Sequence, residues 1–475
     1  MYKFDTKVQH LKYKVLKEIA KNAFNDTLLK NFAEIPKTIM PNKEPTMRCC
    51  VYKERAIITE RMKIAMGGDE SNPNVIEVMP IACDECPVGG YQVTDSCRGC
   101  IAKRCSDVCP VGAITFDKNH QAHIDKSKCI NCGKCANACQ FSAIHNYKRP
   151  CQTACKMDAI EINSEDGSAL INNDKCVACG ACVYRCPFGA IMDKSYILEV
   201  IEMIKEAKAN GTKLYAMVAP AIASQFSYAK LGQVISGIKE LGFTDVKEVA
   251  LGADMVALKE AAELAEKGKL TSSCCPAFVS YIEKFYPQVK EYISHNLSPM
   301  AELGKFIKEQ DPTAKTVFIG PCTAKKAEIK KETVRPYVDS VITFEELQAL
   351  LDAREIEITE LPEDDLNDAS FYGRIFAHSG GLTGAAARAI EEQGLDFKVV
   401  PATCSGVDEC KIALLKLSKG ILKENFIEGM ICEGGCINGA GCLTHMGAKA
   451  ATKVDVHAKQ STAESIKSAV ANGSI

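Results

Sequence analysis

Residues 129–144 read CINCGKCANACQFSAI. Three cysteines stand at Cys-x2-Cys-x2-Cys spacing, a fourth follows four residues after the third, and the stretch ends in Ala-Ile. Outward from it, the same ending recurs after Cys109 (CPVGAI), Cys155 (CKMDAI) and Cys186 (CPFGAI). Each lies four residues after another cysteine, Cys105, Cys151 and Cys182, as Cys139 follows Cys135. A unit repeated at this scale sets the architecture before any single motif is weighed. Thiolates so closely and regularly spaced suit soft iron centres.

The four units match half-units of the bacterial ferredoxin repeat. In that repeat a tight loop presents three sulfurs to one 4Fe-4S cube, and the chain carries the fourth away to the neighbouring cube. A crossed assignment follows. Cys97, Cys100, Cys105 and Cys139 form one set, Cys129, Cys132, Cys135 and Cys109 a second, and Cys176, Cys179, Cys182 and Cys155 a third. The second pair of half-units leaves Cys151 and Cys186 over. Upstream, IACDECPVGG offers Cys83 and Cys86 at Cys-x2-Cys spacing. These four compose a fourth set, or else they are unligated thiols. A zinc site explains one quartet, not a series ending in the ferredoxin signature. Cubanes in series form an electron wire, with a carrier at one end and a redox centre at the other.

The chain has 475 residues, enough for two to four domains, and 26 cysteines. A secreted disulfide scaffold is shorter and does not repeat this spacing. The cysteines imply a reducing, cytoplasmic, oxygen-poor setting. The net charge of −2 argues for neither nucleic acid nor an anionic membrane. No run of eighteen apolar residues predicts a membrane span, and the charged start MYKFDTKVQHLKYKVLKE is no secretory signal. Residues 1–80 carry apolar positions at helical spacing, as in VQHLKYKVLKEIAKNAF, and are expected to be mostly helical. Residues 81–195 hold the iron–sulfur units. Beyond the boundary near 195, strand-like runs (KLYAMVA, KTVFIG, FKVVPA) alternate with helix-like ones (SYILEVIEMIKEAKANG, ADMVALKEAAELAEKG). That alternation predicts an α/β domain over 196–475. No Pro/Gly/Ser-rich linker separates the parts, so they are expected to pack tightly.

Three cysteine motifs stand apart in this second half: TSSCCPAF (271–278), IGPCTAKKAE (319–328) and EGMICEGGCINGAGC (428–442), each after a strand-like run. In this order, over residues from about 81 to 450, the sequence resembles the FeFe hydrogenases. The resemblance implies ferredoxin-like domains followed by a two-lobed α/β catalytic domain. It implies that Cys275, Cys322, Cys432 and Cys436 hold a cubane, and that Cys436 bridges it to a di-iron subsite carrying CO, cyanide and an azadithiolate. Together these form the H-cluster. Glycines 434, 435, 439 and 441 are expected to let backbone approach the cofactor. Lys325 matches a donor to cyanide, and Met430 a methionine packed beside the di-iron unit.

The resemblance also implies a proton relay. Cys274 is the non-ligand neighbour of Cys275, and a thiol can carry a proton near neutrality. Glu260 and Glu263, three apart and so on one helix face, match two relay glutamates, and Ser294 stands between them. Departures from the family pattern are Gly320 for methionine, Phe278 for tryptophan, Ala221 for serine, Met300 for glutamine and Ala440 for a common glycine. They mark a divergent subclass, since residues around a metal site tune its potential and rate.

The activity implied is reversible H2 oxidation, with electrons exchanged with a ferredoxin-like carrier and the di-iron subsite inserted by maturation proteins. HSGGLTGAAARA (378–389) lacks the G-x-G-x-x-G of a dinucleotide site. Two other readings are a hydrogen sensor, for which no signalling domain is evident, and a non-catalytic iron–sulfur assembly relative. Cys49, Cys50, Cys404, Cys410 and Cys442 join no ligand set and are expected to be buried or free thiols.

Overall fold

The computed structural model describes residues 4–87 and 89–474. Its four half-units share one backbone device. The residue before the repeated alanine is left-handed in all four: Gly112 (φ 59°), Ser142 (49°), Asp158 (48°) and Gly189 (60°). That turn aims the next amide back at the cysteine. Ala113, Ala143, Ala159 and Ala190 each donate N–H to Sγ of Cys109, Cys139, Cys155 and Cys186, at 3.3 Å in every case. All four alanines are 1% exposed, so a larger side chain has no room there. The Ala of the repeated ending is thus both an amide donor to sulfur and a packing residue. A second left-handed position precedes the middle cysteine of the three-cysteine loops: Gly99, Asn131 and Ala178.

Two ferredoxin-type modules result. The first closes by pairing Gly90–Val93 antiparallel with Ile144–Tyr147, around the hairpin Ile114–Phe116 and Ala122–Ile124. The second holds the hairpin Ile160–Ile162 and Ala169–Ile171. Its other strand pair is completed from far away, because Ile191–Asp193 pairs with Ile76–Val78. The region before residue 81 is largely helical, with Lys7–Phe24 and Val51–Ala65 its longest helices. It is not a separate body. Lys7–Phe24 packs along Phe344–Ala353 of the C-terminal half.

That half contains two parallel sheets. One has the order Asp245–Glu248, Leu214–Val218, Lys315–Gly320, Ser340–Thr343, and the other Leu270–Thr271, Phe426–Met430, Pro401–Ser405. Leu214–Val218, Lys315–Gly320 and Phe426–Met430 are almost continuously buried, as expected when helices cover both faces. The run FKVVPA differs from its expected strand. Residues 397–400 lie outside the strand, which is Pro401–Ser405, with Val400 hydrogen-bonded to Asn425 just before the ladder begins. Register explains it: the neighbouring strand begins at Phe426, opposite Pro401, so earlier residues have no ladder to join.

Candidate functional site

Each of the three catalytic-half motifs begins where a parallel strand ends. Cys275 caps the helix Pro276–Phe285 shortly after Leu270–Thr271, Cys322 caps Thr323–Glu328 after Lys315–Gly320, and Cys432 follows Phe426–Met430. The C-terminal ends of parallel strands are where such sheets gather their ligand-binding loops. There the four thiols meet. Burial pushes the Cys436 thiol up to about 12, and the nearby Cys322 and Cys275 sulfurs add to the rise. Cys432 is driven well above its usual value by burial, then by Cys322, Cys275 and Cys436. Four crowded thiols are a donor set suited to an iron cubane, whose metal charge would offset their thiolates. Among the described residues, no three His, Cys, Asp or Glu side chains close on a point fit for a single ion.

The glycines near Cys436 let other parts of the chain come close. A Cβ at Gly435 (φ +97°) would lie 2.7 Å from His378 Cα, and one at Gly439 would lie 2.5 Å from the Pro321 carbonyl oxygen. Gly439 lets the third motif loop meet the second, and Gly435 lets it meet the backbone at His378. Gly441 adds a hydrogen bond from its N–H to Pro321 O at 2.8 Å. The family departures are packed in kind. A Cβ at Gly320 would strike the Phe318 ring at 2.5 Å, so that ring fills the room a longer side chain would need. Phe278 lies over Gly429, whose Cβ would come within 2.2 Å of it. Ala221 and Met300 are fully buried.

Lys325 is buried beside the same loops. Its ammonium reaches the Cys274 carbonyl at 3.4 Å and pairs with Glu328 at 2.6 Å. Burial would lower its pKa, but Glu328 outweighs this and holds it raised. Met430 ends its strand, 2% exposed, and accepts the Gly406 N–H at 2.8 Å.

Cys274 belongs to a different line of groups. Burial, then facing Glu260, pushes its thiol well above the usual value. Glu260 is fully buried on Val249–Lys267, and burial raises its carboxyl to about 7. The Ser273 N–H and hydroxyl both donate to its Oε1 at 3.3 Å, while Oε2 has no donor at bonding distance. Ser294 stands next to Glu260 and donates to Glu263 Oε2 at 2.9 Å. Glu263 then meets Lys267 and His295 Nδ1, both at 2.7 Å. Burial alone would raise Glu263, but its donors hold it below its ordinary value. The His295 side chain is 76% exposed, so the line ends in solvent. Sequence reasoning missed Ser273, Lys267 and His295. Lys267 follows Glu263 by four, the spacing that places two helix residues side by side, and the other two adjoin assigned residues.

The accessory cysteines gather as sets too. A single cavity is lined by Cys109, Cys129, Cys132 and Cys135. Cys105 is raised by burial first, with Cys100 and Cys139 contributing, and Cys97 accepts the Ala122 N–H at 3.5 Å. Burial raises Cys179 to about 12, helped by Cys176 and Cys155. Cys151, pushed to about 11 by burial, also feels Cys186, Cys83 and Cys86. These last four, linked in sequence only by elimination, are therefore neighbours. Cations attend them: Arg149 Nη1 lies 3.7 Å from Cys83 Sγ, and buried Arg61 is close enough to Cys186 to feel its charge. The sets adjoin in series. Cys151 acts on Cys182, and Cys179 is influenced by Cys275 and itself influences Cys432. The loops touch as well, for Thr323 Oγ1 donates to Ala178 O at 2.7 Å and a Cβ at Gly180 would meet Ala440 at 2.5 Å.

The remaining cysteines stay outside these sets. Cys404, Cys410 and Cys442 are buried, with Cys410 Sγ 3.7 Å from Met430 O and Cys442 Sγ 3.3 Å from Ile437 O. Cys49 and Cys50 lie with their sulfurs 4.0 Å apart near the surface. No helix among the described residues is long and apolar enough to cross a membrane.

The family model for the iron-only hydrogenase large subunit, C-terminal domain, matches residues 212–440. A 4Fe-4S dicluster domain matches 96–143, and a 4Fe-4S binding domain 169–192. Iron hydrogenase 1 of Clostridium pasteurianum is 28% identical over 400 residues, covering 72% of this chain and 68% of that protein. The periplasmic [Fe] hydrogenase large subunit of Nitratidesulfovibrio vulgaris is 28% identical over 384 residues, covering 68% and 87%. The cytosolic Fe-S cluster assembly factor NAR1 of Eremothecium gossypii is 32% identical over 159 residues, 30% of this chain and 35% of that one. A solved [FeFe]-hydrogenase superposes with a TM-score of 0.47 at 21% identity, covering 55% of this chain and 90% of that chain. The chain therefore carries, over residues 212–440, the C-terminal domain of the iron-only hydrogenase large subunit, behind ferredoxin-type 4Fe-4S domains.

Proposed function

We propose that this chain is a working FeFe hydrogenase that interconverts H2 with protons and electrons and exchanges the electrons with a ferredoxin-like carrier in the cytoplasm. One observation carries the reading. The four-thiol site adjoins both a series of cysteine sets and a separate line of proton-bearing groups that ends in solvent. In this reading Cys275, Cys322, Cys432 and Cys436 hold the H-cluster, inserted by maturation proteins, and Lys325 and Met430 flank its di-iron subsite. Bound there, the H-cluster supplies the reversible splitting of H2 into protons and electrons. The chain's own part is transport. Cys274 takes or gives the proton at Sγ, Glu260 exchanges it at its unpartnered Oε2, and the Ser294 hydroxyl passes it to Glu263 and so to His295 and water. A carboxyl raised to about 7 is poised for such exchange at neutral pH. Cubanes held by the set containing Cys179 and by three further sets, the one of Cys83, Cys86, Cys151 and Cys186 included, would supply the path for electrons.

The second reading, a non-catalytic assembly relative, is favoured by the similarity to the NAR1 protein. It has no use for a buried glutamate relay ending at the surface. The infrared spectrum of the matured chain separates the two. CO and cyanide bands beside roughly twenty cubane irons per chain support the proposal, and cubane iron without those bands supports the assembly reading.

A further inference from the structure

Resting on the reading of the cysteine sets as an electron wire, the geometry points to the 97–105 loop as its outer port, shaped to dock a small acidic electron-carrier protein. Two loops of the first module compete for that role. The 129–135 loop, whose Cys132 is likewise exposed, packs against the segment leading back toward Cys83 and Cys86 and so lies on the inner side of the series: a Cβ at Gly133 would meet the Tyr91 hydroxyl at 2.3 Å, and one at Gly90 would meet Asn131 Oδ1 at 2.5 Å. The 97–105 loop packs instead on its own module's hairpin turn, where Gly99 lies against Asn119 and His120. It faces outward, and its ligand residue Cys100 is exposed.

The loop's sequence is CRGCIAKRC. Between its end cysteines lie Arg98, Lys103 and Arg104 and no acidic residue, although Asp95 and Asp107 flank it. Arg98 and Arg104 are exposed, and Lys103 is held over the Phe116 ring at 4.5 Å. Lys118 on the adjoining turn is exposed as well. At the centre stands Ile101, 99% exposed, more open than any other large apolar side chain among the described residues. A fully exposed apolar residue next to a cluster ligand, on a loop that carries three cations, suits a transient electron-transfer contact. Such contacts are small, and complementary charge steers them together. A local excess of cations on a chain of net charge −2 selects an acidic partner over this chain's own average surface.

The test uses the fully loaded chain, a small acidic 4Fe-4S ferredoxin and methyl viologen. Arg98→Glu/Arg104→Glu/Lys118→Glu is expected to raise KM for ferredoxin at least about tenfold while leaving viologen-driven H2 evolution unchanged. Wild-type KM should climb with salt, and the variant's dependence should flatten or reverse. Calorimetric binding of ferredoxin reads the surface independently of turnover. Lost binding in the variant, with iron content intact and with Arg98→Lys/Arg104→Lys binding like wild type, supports the port. Equal binding or equal KM in wild type and charge-reversed variant overturns it, as does a salt-sensitive dimer of this chain that the variant abolishes. If the wild-type chain binds ferredoxin yet evolves no H2 from viologen, the hydrogenase reading fails while the docking surface stands.

Discussion

At Cys274 and Cys275 two adjacent thiols have separate neighbourhoods. Cys275 lies with Cys322, Cys432 and Cys436, whereas Cys274 faces Glu260. Cys274→Ala should keep the infrared spectrum of the bound cluster and lose roughly a hundredfold or more in turnover, the usual worth of a positioned proton carrier. Near-normal H2 evolution in that variant would remove Cys274 from the path. Glu260 carries a sign that can be checked. Its pKa rises from 4.5 unfolded to about 7 folded, so the folded state holds its proton more tightly. Stability is therefore lost as pH rises from about 4.5 to 7, by about 3 kcal/mol, and the full cost remains above pH 7. Glu260→Gln should melt higher than wild type at pH 8, with the gain shrinking as pH falls toward 4.5, while turnover drops sharply. Glu260, Glu263 and Cys274 were legible from their motifs. Ser273 and His295 were not, because the hydrogen bonds that recruit them run from loops to a helix distant in sequence.

The repeated iron–sulfur ending was readable as a pattern, but its cause lies in backbone geometry. A left-handed residue turns the alanine amide onto sulfur, and Ser142 and Asp158 take that conformation as Gly112 and Gly189 do. Sequence therefore hid the rule behind three residue types at four positions. The strand near 397 was misplaced for a related reason: β-prone residues form a strand only where a partner strand exists. Gly435 is the element-scale test. Its positive φ and the 2.7 Å approach of a Cβ to His378 Cα leave no room for alanine. Gly435→Ala should displace the loop holding Cys436, cost about 1–3 kcal/mol, and abolish the infrared bands while the accessory cubane signals persist. Retained CO and cyanide bands would contradict the loop-meeting role.

Across the whole molecule, the parts are fastened by a buried ion network that no local pattern announces. Lys12 of the first helix meets Asp193 and Glu345, both at 2.6 Å. Lys326, fully buried one residue after Lys325, meets Asp193 and Glu346, both at 2.8 Å. Asp193 sits at the boundary between the second module and the catalytic half, so one carboxylate joins three regions that sequence reading had divided. Removing one partner strands buried charge, and Asp193→Ala should cost about 3–5 kcal/mol, seen as a lower midpoint in thermal unfolding. An unchanged midpoint would make the network incidental. Tight packing was inferable from the missing linker, but the pairing of Ile76–Val78 with Ile191–Asp193 across more than a hundred residues was not. The most direct test of the central claim is viologen-driven H2 evolution by the chain after loading of both its cubanes and its di-iron subsite. The account predicts sustained H2 production that Cys274→Ala largely abolishes; full cluster loading with no H2 produced would contradict it.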